Sequence, residues 1–244
     1  MPVKDAEDKG RRVSRFHERA SGVPARSQVA PTELRRTIVA IAALTMLAAC
    51  STSSIFDSDT PVPANYVLAA APSAEARGAP LPVDISISRP DMGAGLDTDR
   101  IAVLKGRELD YYKRVRWGSR ATELVQFLVV DSLENQKIFR SVTAEQARVA
   151  GDYVLDLQVR DFQSEYASDA SDPTIRVTLV GRLIRVVDRK LVATVQAQAT
   201  ERARANRMSA VAAAFESAAH RAILDLGTQV ASAIAADRAE ARSD

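Results

Sequence analysis

Residues 175–183 read I-R-V-T-L-V-G-R-L, with Ile175, Val177, Leu179 and Leu183 alternating against Arg176, Thr178 and Arg182. Period two over that length marks a strand with one buried face and one wetter face. The same alternation stands on either side of it. Tyr153, Leu155, Leu157 and Val159 precede it, and Ala193, Val195, Ala197 and Ala199 follow, set against Thr194, Gln196, Gln198 and Thr200. Asp188-Arg189-Lys190 supplies the turn between the last two runs. Three consecutive strands with short connections pair antiparallel.

Downstream of this meander the period changes. Val211, Phe215, Ala219, Ala222, Leu226, Val230 and Ile234 recur at helical spacing, which predicts one long helix over about Arg207–Arg238. Such a stripe either packs on the sheet or docks a partner helix. Upstream, Tyr66–Ala70 is a short apolar strand, and Val83, Ile85 and Ile87 alternate with Asp84, Ser86 and Ser88. Ile101–Leu104 and Leu109–Val115 read as two strands joined around Lys105-Gly106-Arg107. A helix follows with Ser119 as its N-cap and Glu123 in its first turn, carrying a broad apolar face through Leu133 and ending before Phe139. The expectation is an α/β (α+β) single domain over residues 65–240. It holds a mixed, largely antiparallel sheet packed by two main helices, the second long and C-terminal.

The first quarter of the chain is different in kind. Thr37–Ala49 is an uninterrupted run T-I-V-A-I-A-A-L-T-M-L-A-A behind Arg35 and Arg36. A basic segment, a short apolar segment and small residues at its end make a secretory signal. As a helix the run spans roughly 20 Å, short of the ~30 Å hydrocarbon core. Its end, Leu47-Ala48-Ala49-Cys50, matches the lipobox of bacterial lipoproteins. Small side chains fit the peptidase, the Cys50 sulfur takes a diacylglyceryl group, and the new amino terminus takes a third acyl chain. Two or more chains hold a protein stably on a bilayer. Ser51 follows the cysteine, where an aspartate in proteobacterial lipoproteins favours retention at the inner membrane, so serine reads as an outer-membrane sorting signal. Residues 1–49 are therefore an N-terminal extension with signal peptide. Residues 50–64, Ser/Thr/Asp/Pro-rich after the lipidated cysteine, form a tether.

Of 33 basic and 31 acidic residues, nine and five precede Cys50, which leaves the remainder at a net −2. A mature chain of that balance lacks the basic footprint of a nucleic-acid binder. A single cysteine permits no intramolecular disulfide and no thiolate metal cluster. No P-loop and no G-x-S-x-G occur, and Gly93/Gly95 precede a strand rather than a helix. His220, with Glu216 one turn earlier, has neither nucleophile nor orienting acid beside it in sequence, so the pair either bonds to each other or faces solvent. Asp91, Asp97 and Asp99 lack calcium-loop spacing and read as turn and cap residues. Catalysis is not expected. No cofactor is expected beyond the covalent diacylglycerol and N-acyl chain on Cys50. Tyr111, Tyr112, Arg116 and Trp117 remain: they make either a partner or lipid surface with cation–π stacks, or part of the core.

The run Leu96-Asp97-Thr98-Asp99-Arg100-Ile101-Ala102-Val103, then Tyr111-Tyr112, then Arg116-Trp117, resembles the ABC-type transport auxiliary lipoproteins, of which the paraquat-inducible protein C group is one branch. Tyr66-Val67-Leu68 after the lipobox and the Ala-rich C-terminal helix fit the same order, over residues 65–236. Gly118-Ser119-Arg120 departs from the acidic or proline-bearing segment many members carry there. The resemblance implies a non-catalytic outer-membrane lipoprotein working beside a mammalian-cell-entry (MCE) protein, an ABC permease and its ATPase. Its role there is to dock or anchor a system that moves phospholipids or other hydrophobic molecules across the periplasm. Two other readings stay open: a carrier that binds phospholipid itself, or a lipoprotein of envelope assembly or export. A homo-oligomer is compatible with each.

Overall fold

The computed structural model describes residues 62–73, 78–149, 151–167 and 171–243. Nine strands form one sheet, β1 (Ala64–Tyr66), β2 (Leu81–Ile87), β3 (Asp91–Met92), β4 (Arg100–Lys105), β5 (Glu108–Trp117), β6 (Phe139–Ala144), β7 (Tyr153–Tyr166), β8 (Thr174–Arg185) and β9 (Lys190–Arg202). Two helices accompany them, α1 (Ala121–Gln136) and α2 (Met208–Ser243). The fold is the expected α+β domain.

β7 is the spine. One edge pairs antiparallel with β8 from Tyr153↔Arg185 to Glu165↔Thr174, and β8 pairs antiparallel with β9. The other edge is shared lengthwise by three parallel partners: β2 at Tyr153–Leu155, β3 at Gln158–Val159 and β4 at Ser164–Tyr166. Ser88 stitches the first gap, since its amide donates to Leu155 O and its hydroxyl accepts the Leu157 amide at 3.0 Å. Beyond β2 lies β6, and beyond β4 lie β5 and then β1. The long registers are antiparallel, as the meander implied. The short parallel pairings, β3 and β6 are additions to that reading.

α2 puts its stripe into the core: Val211, Phe215, Ala222, Leu226, Val230 and Ile234 are fully buried, and Ala219 nearly so. Glycines set the spacing. A Cβ on Gly181 would come 2.7 Å from Leu155 Cδ1 and 3.4 Å from Leu226 Cδ1, so the helix lies on the bare backbone of β8. A Cβ on Gly227 would come 2.5 Å from Leu133 Cδ2, where α1 crosses α2. The helix stripe is thus spent on the sheet and not on a partner.

α1 begins one residue later than expected, with Arg120 and not Ser119 at its N-cap. Arg120 makes no side-chain cap bond. The loop before β4 supplies the cap instead: Thr98 O accepts the Ala121 amide, and Asp97 accepts the Thr122 hydroxyl at 3.1 Å. Phe127 lies off the buried face of α1 and is 52% exposed.

Near the far end of α2, Asp237 is buried and is held by the Tyr153 hydroxyl at 2.8 Å and by Arg185 at 3.0 Å. Burial first, and the neighbouring carboxylate second, push the Tyr153 hydroxyl from 10.0 up to about 12. A raised folded pKa means stabilisation that is complete below the unfolded value and lost as pH rises through the folded one. Unfolding free energy from urea titrations should therefore fall between pH 10 and pH 12, and fall less steeply in Tyr153→Phe. Asp237→Ala removes the partner of the buried Tyr153 hydroxyl and leaves Arg185 with Asp188 alone, and should lower the urea midpoint.

Candidate functional site

The aromatic segment sits on a bulged strand. Ala102 lies opposite Tyr111, but Arg100 lies opposite Arg116, so β5 carries extra residues against β4. Arg114, within the bulge, has φ 61, a left-handed conformation that costs a non-glycine residue energy. Bulges re-aim side chains, and here they separate the group that the sequence drew together. Tyr111 donates to Gly95 O at 2.8 Å and carries the Arg100 guanidinium 3.7 Å over its ring. Tyr112 turns the other way. Its hydroxyl lies 3.0 Å from Ser164 Oγ and 3.3 Å from the Tyr166 hydroxyl, which donates to Asn206. Burial pushes the Tyr112 hydroxyl far above its ordinary range, with Tyr166 adding to it.

Trp117 is 3% exposed and packs against Phe162 and, edge-on at 5.1 Å, against Phe215. It is a core residue, which corrects its reading as part of a partner or lipid surface. Arg116, half exposed, pairs with Asp99 at 2.9 Å. Asp97 receives the Arg120 guanidinium, and that bond first, with the Thr122 hydroxyl behind it, holds its carboxyl below the usual range. Asp97 and Asp99 do the cap and turn work expected of them.

A second arrangement was hidden in the sequence. After β1 the chain crosses both helices as a strap, residues 67–73, with Leu68 and Ala71 buried beneath it. Side chains replace a strand partner along it. On α2, Glu216 accepts the Ala69 amide at 2.7 Å and His220 Nε2 donates to Ala69 O at 2.8 Å. On α1, Ser132 accepts the Ala71 amide at 2.9 Å, Asn135 donates to Ala71 O and Gln136 donates to Pro72 O. Glu216 and His220 therefore do not pair with each other; half-buried and one helical turn apart, they hold the backbone of one residue, Ala69, at its amide and at its carbonyl. The available signal was the presence of polar side chains one turn apart on Ala-rich or apolar helices.

Cys50, the lipobox residues Leu47, Ala48 and Ala49, and Ser51 lie outside the described residues. No helix among the described residues is long and apolar enough to cross a membrane. From Cys50 to the start of β1 the extended chain reaches at most about 50 Å. β1 is thus the first described segment held by a partner, and the strap continues from it.

Comparison with known proteins fits this architecture. The family model of the ABC-type transport auxiliary lipoprotein component matches residues 66–230. Among solved structures, a Xanthomonas campestris protein of the family model DUF330 superposes with TM-score 0.64 at 24% identity, covering 71% of this chain and 97% of its own. An uncharacterized protein follows with TM-score 0.54 at 9% identity, covering 69% and 99%. Identities this low speak for the fold alone. No curated protein matches the chain.

Removing the grip tests the strap. Glu216→Ala combined with His220→Ala leaves the exposed Ala69 amide and carbonyl to water, at about 0.5–1.5 kcal/mol for each bond lost. Limited proteolysis should then cut within residues 67–73 while the sheet stays intact, and the parent protein should resist at the same protease concentration.

Proposed function

The chain belongs to the ABC-type transport auxiliary lipoprotein family, and on that premise we propose that it serves as a lipid-anchored docking adaptor without catalytic chemistry of its own. Cys50 carries the acyl chains, Ser51 directs the protein to the outer membrane, and residues 65–240 form the working domain. The partner is an MCE-domain protein whose permease and ATPase lie at the inner membrane and supply the energy for moving phospholipid or a similar hydrophobic cargo. The observation that supports this reading is the strap: residues 67–73, which follow β1, are bonded to both helices, so a load arriving upstream of β1 is borne by the packed domain.

The carrier reading draws less support. A carrier needs an apolar space between sheet and helix, and here that space is occupied by Phe215, Leu226, Val230 and Ile234 packed on β8 and β9. Tyr111 and Arg116 remain at the surface as candidate partner contacts; Tyr112 is half buried and Trp117 is not available.

Cross-linking of the acylated protein in cells, followed by pull-down, tests the assignment. Recovery of an MCE-domain protein with its permease and ATPase is expected. Recovery of secretion or lipopolysaccharide-export components in their place would overturn it.

A further inference from the structure

The direction of β1 sets the side from which the chain enters the domain. β1 runs parallel to β5, with Ala64 opposite Val115 and Tyr66 opposite Trp117. The described residues 62–63 therefore enter β1 from the side of the Glu108 end of β5. At the same end lie the close of β4, with Lys105 opposite Tyr166 of β7, and the start of β8, with Thr174 opposite Arg202 of β9. The start of α2 follows a few residues on.

Positive charge collects there, although the chain from Cys50 onward is slightly acidic. At that end Lys105 and Arg107 flank the β4–β5 turn beside Glu108, and all three are exposed. Between the end of β9 and the first turns of α2 is an open cavity of about 510 Å³, lined by Arg202, Arg204 and Arg207 on one side and by Ala210, Ala213 and Ala214 on the other. Its one lining carboxylate, Glu201, already takes the Arg221 guanidinium at 2.6 Å. Arg202 reaches Asp172 only at 3.8 Å, and Arg207 donates to the Ser209 hydroxyl. Arg204 has no hydrogen-bond or ion-pair partner among the described residues. Three guanidinium groups around one cavity repel each other unless an anion sits among them, and guanidinium matches phosphate in two-pronged geometry. The alanine wall offers apolar surface without filling the space.

We infer that this cavity takes the phosphate of an anionic phospholipid, of the phosphatidylglycerol class, from the leaflet that holds the Cys50 acyl chains. The inference rests on the acylation of Cys50 and goes beyond it. The anchor brings the domain to the membrane, and the arginines orient it there. The apolar alanine wall and the acyl anchor at Cys50 favour a lipid headgroup over free phosphate.

The test uses the mature acylated protein on vesicles of phosphatidylcholine alone or with a minority of phosphatidylglycerol, and follows amide hydrogen exchange over residues 202–210. Exchange should slow by about tenfold with phosphatidylglycerol, and this slowing should vanish in Arg202→Gln/Arg204→Gln/Arg207→Gln and shrink in Arg204→Gln alone. Amides of β7 serve as the control for folding. Equal exchange on both vesicles, slowing that survives the triple substitution, or the same slowing with inorganic phosphate alone overturns the headgroup site. Failure to float with either vesicle overturns the acyl anchor, and the headgroup site falls with it.

Discussion

From Val211 to Ile234 one face of α2 lies on β8 and β9 with no gap for water, and on the bare backbone at Gly181. Burying each large side chain of that stripe contributes roughly 1.5–3 kcal/mol. The more important consequence is positional. Because the helix cannot slide or rotate without exposing the stripe, its other faces are fixed as well. Glu216 and His220 meet the strap, Asp237 meets Tyr153 and Arg185, and the first turn meets Arg202 and Arg204 at the end of β9. The strap, the buried ion pair and the arginine-lined cavity all take their geometry from one packed interface.

The strands of that interface were legible because they alternate. Ile175 to Leu183 and Ala193 to Ala199 keep period two over lengths that leave no other reading, and the α2 stripe keeps its helical period from Val211 to Ile234. Where period breaks, sequence reading loses its grip. The β5 bulge inserts residues around Arg114, so Tyr111, Tyr112 and Trp117 part company despite their closeness in the chain. β6 reads F-R-S-V-T-A, too short and too mixed to declare itself. α1 is capped by Asp97 and Thr98 from another segment, a bond that no local pattern announces. The strap shows the same limit: its ladder comes from residues on two helices far along the chain.

Functionally, the chain holds little chemistry and much connection. The residues that looked most like candidates for chemistry, His220 and the aspartates near the start of α1, are occupied in holding backbone or arginine. Among the described residues, the bulged edge with Arg114 and Arg116 stays exposed, as do the arginines at the start of α2. A domain of this kind works by where it is held and how firmly, which suits an auxiliary lipoprotein of a transport system whose energy is spent elsewhere.

The central claim is that force applied upstream of β1 enters the packed core through β1 and then the strap. Pulling the mature acylated protein between Cys50 and its C-terminus measures this directly. The expected trace shows the strap holding until the domain yields, in one cooperative event. A separate early step at low force, releasing about 23–25 Å for the seven strap residues while the domain remains folded, would contradict it.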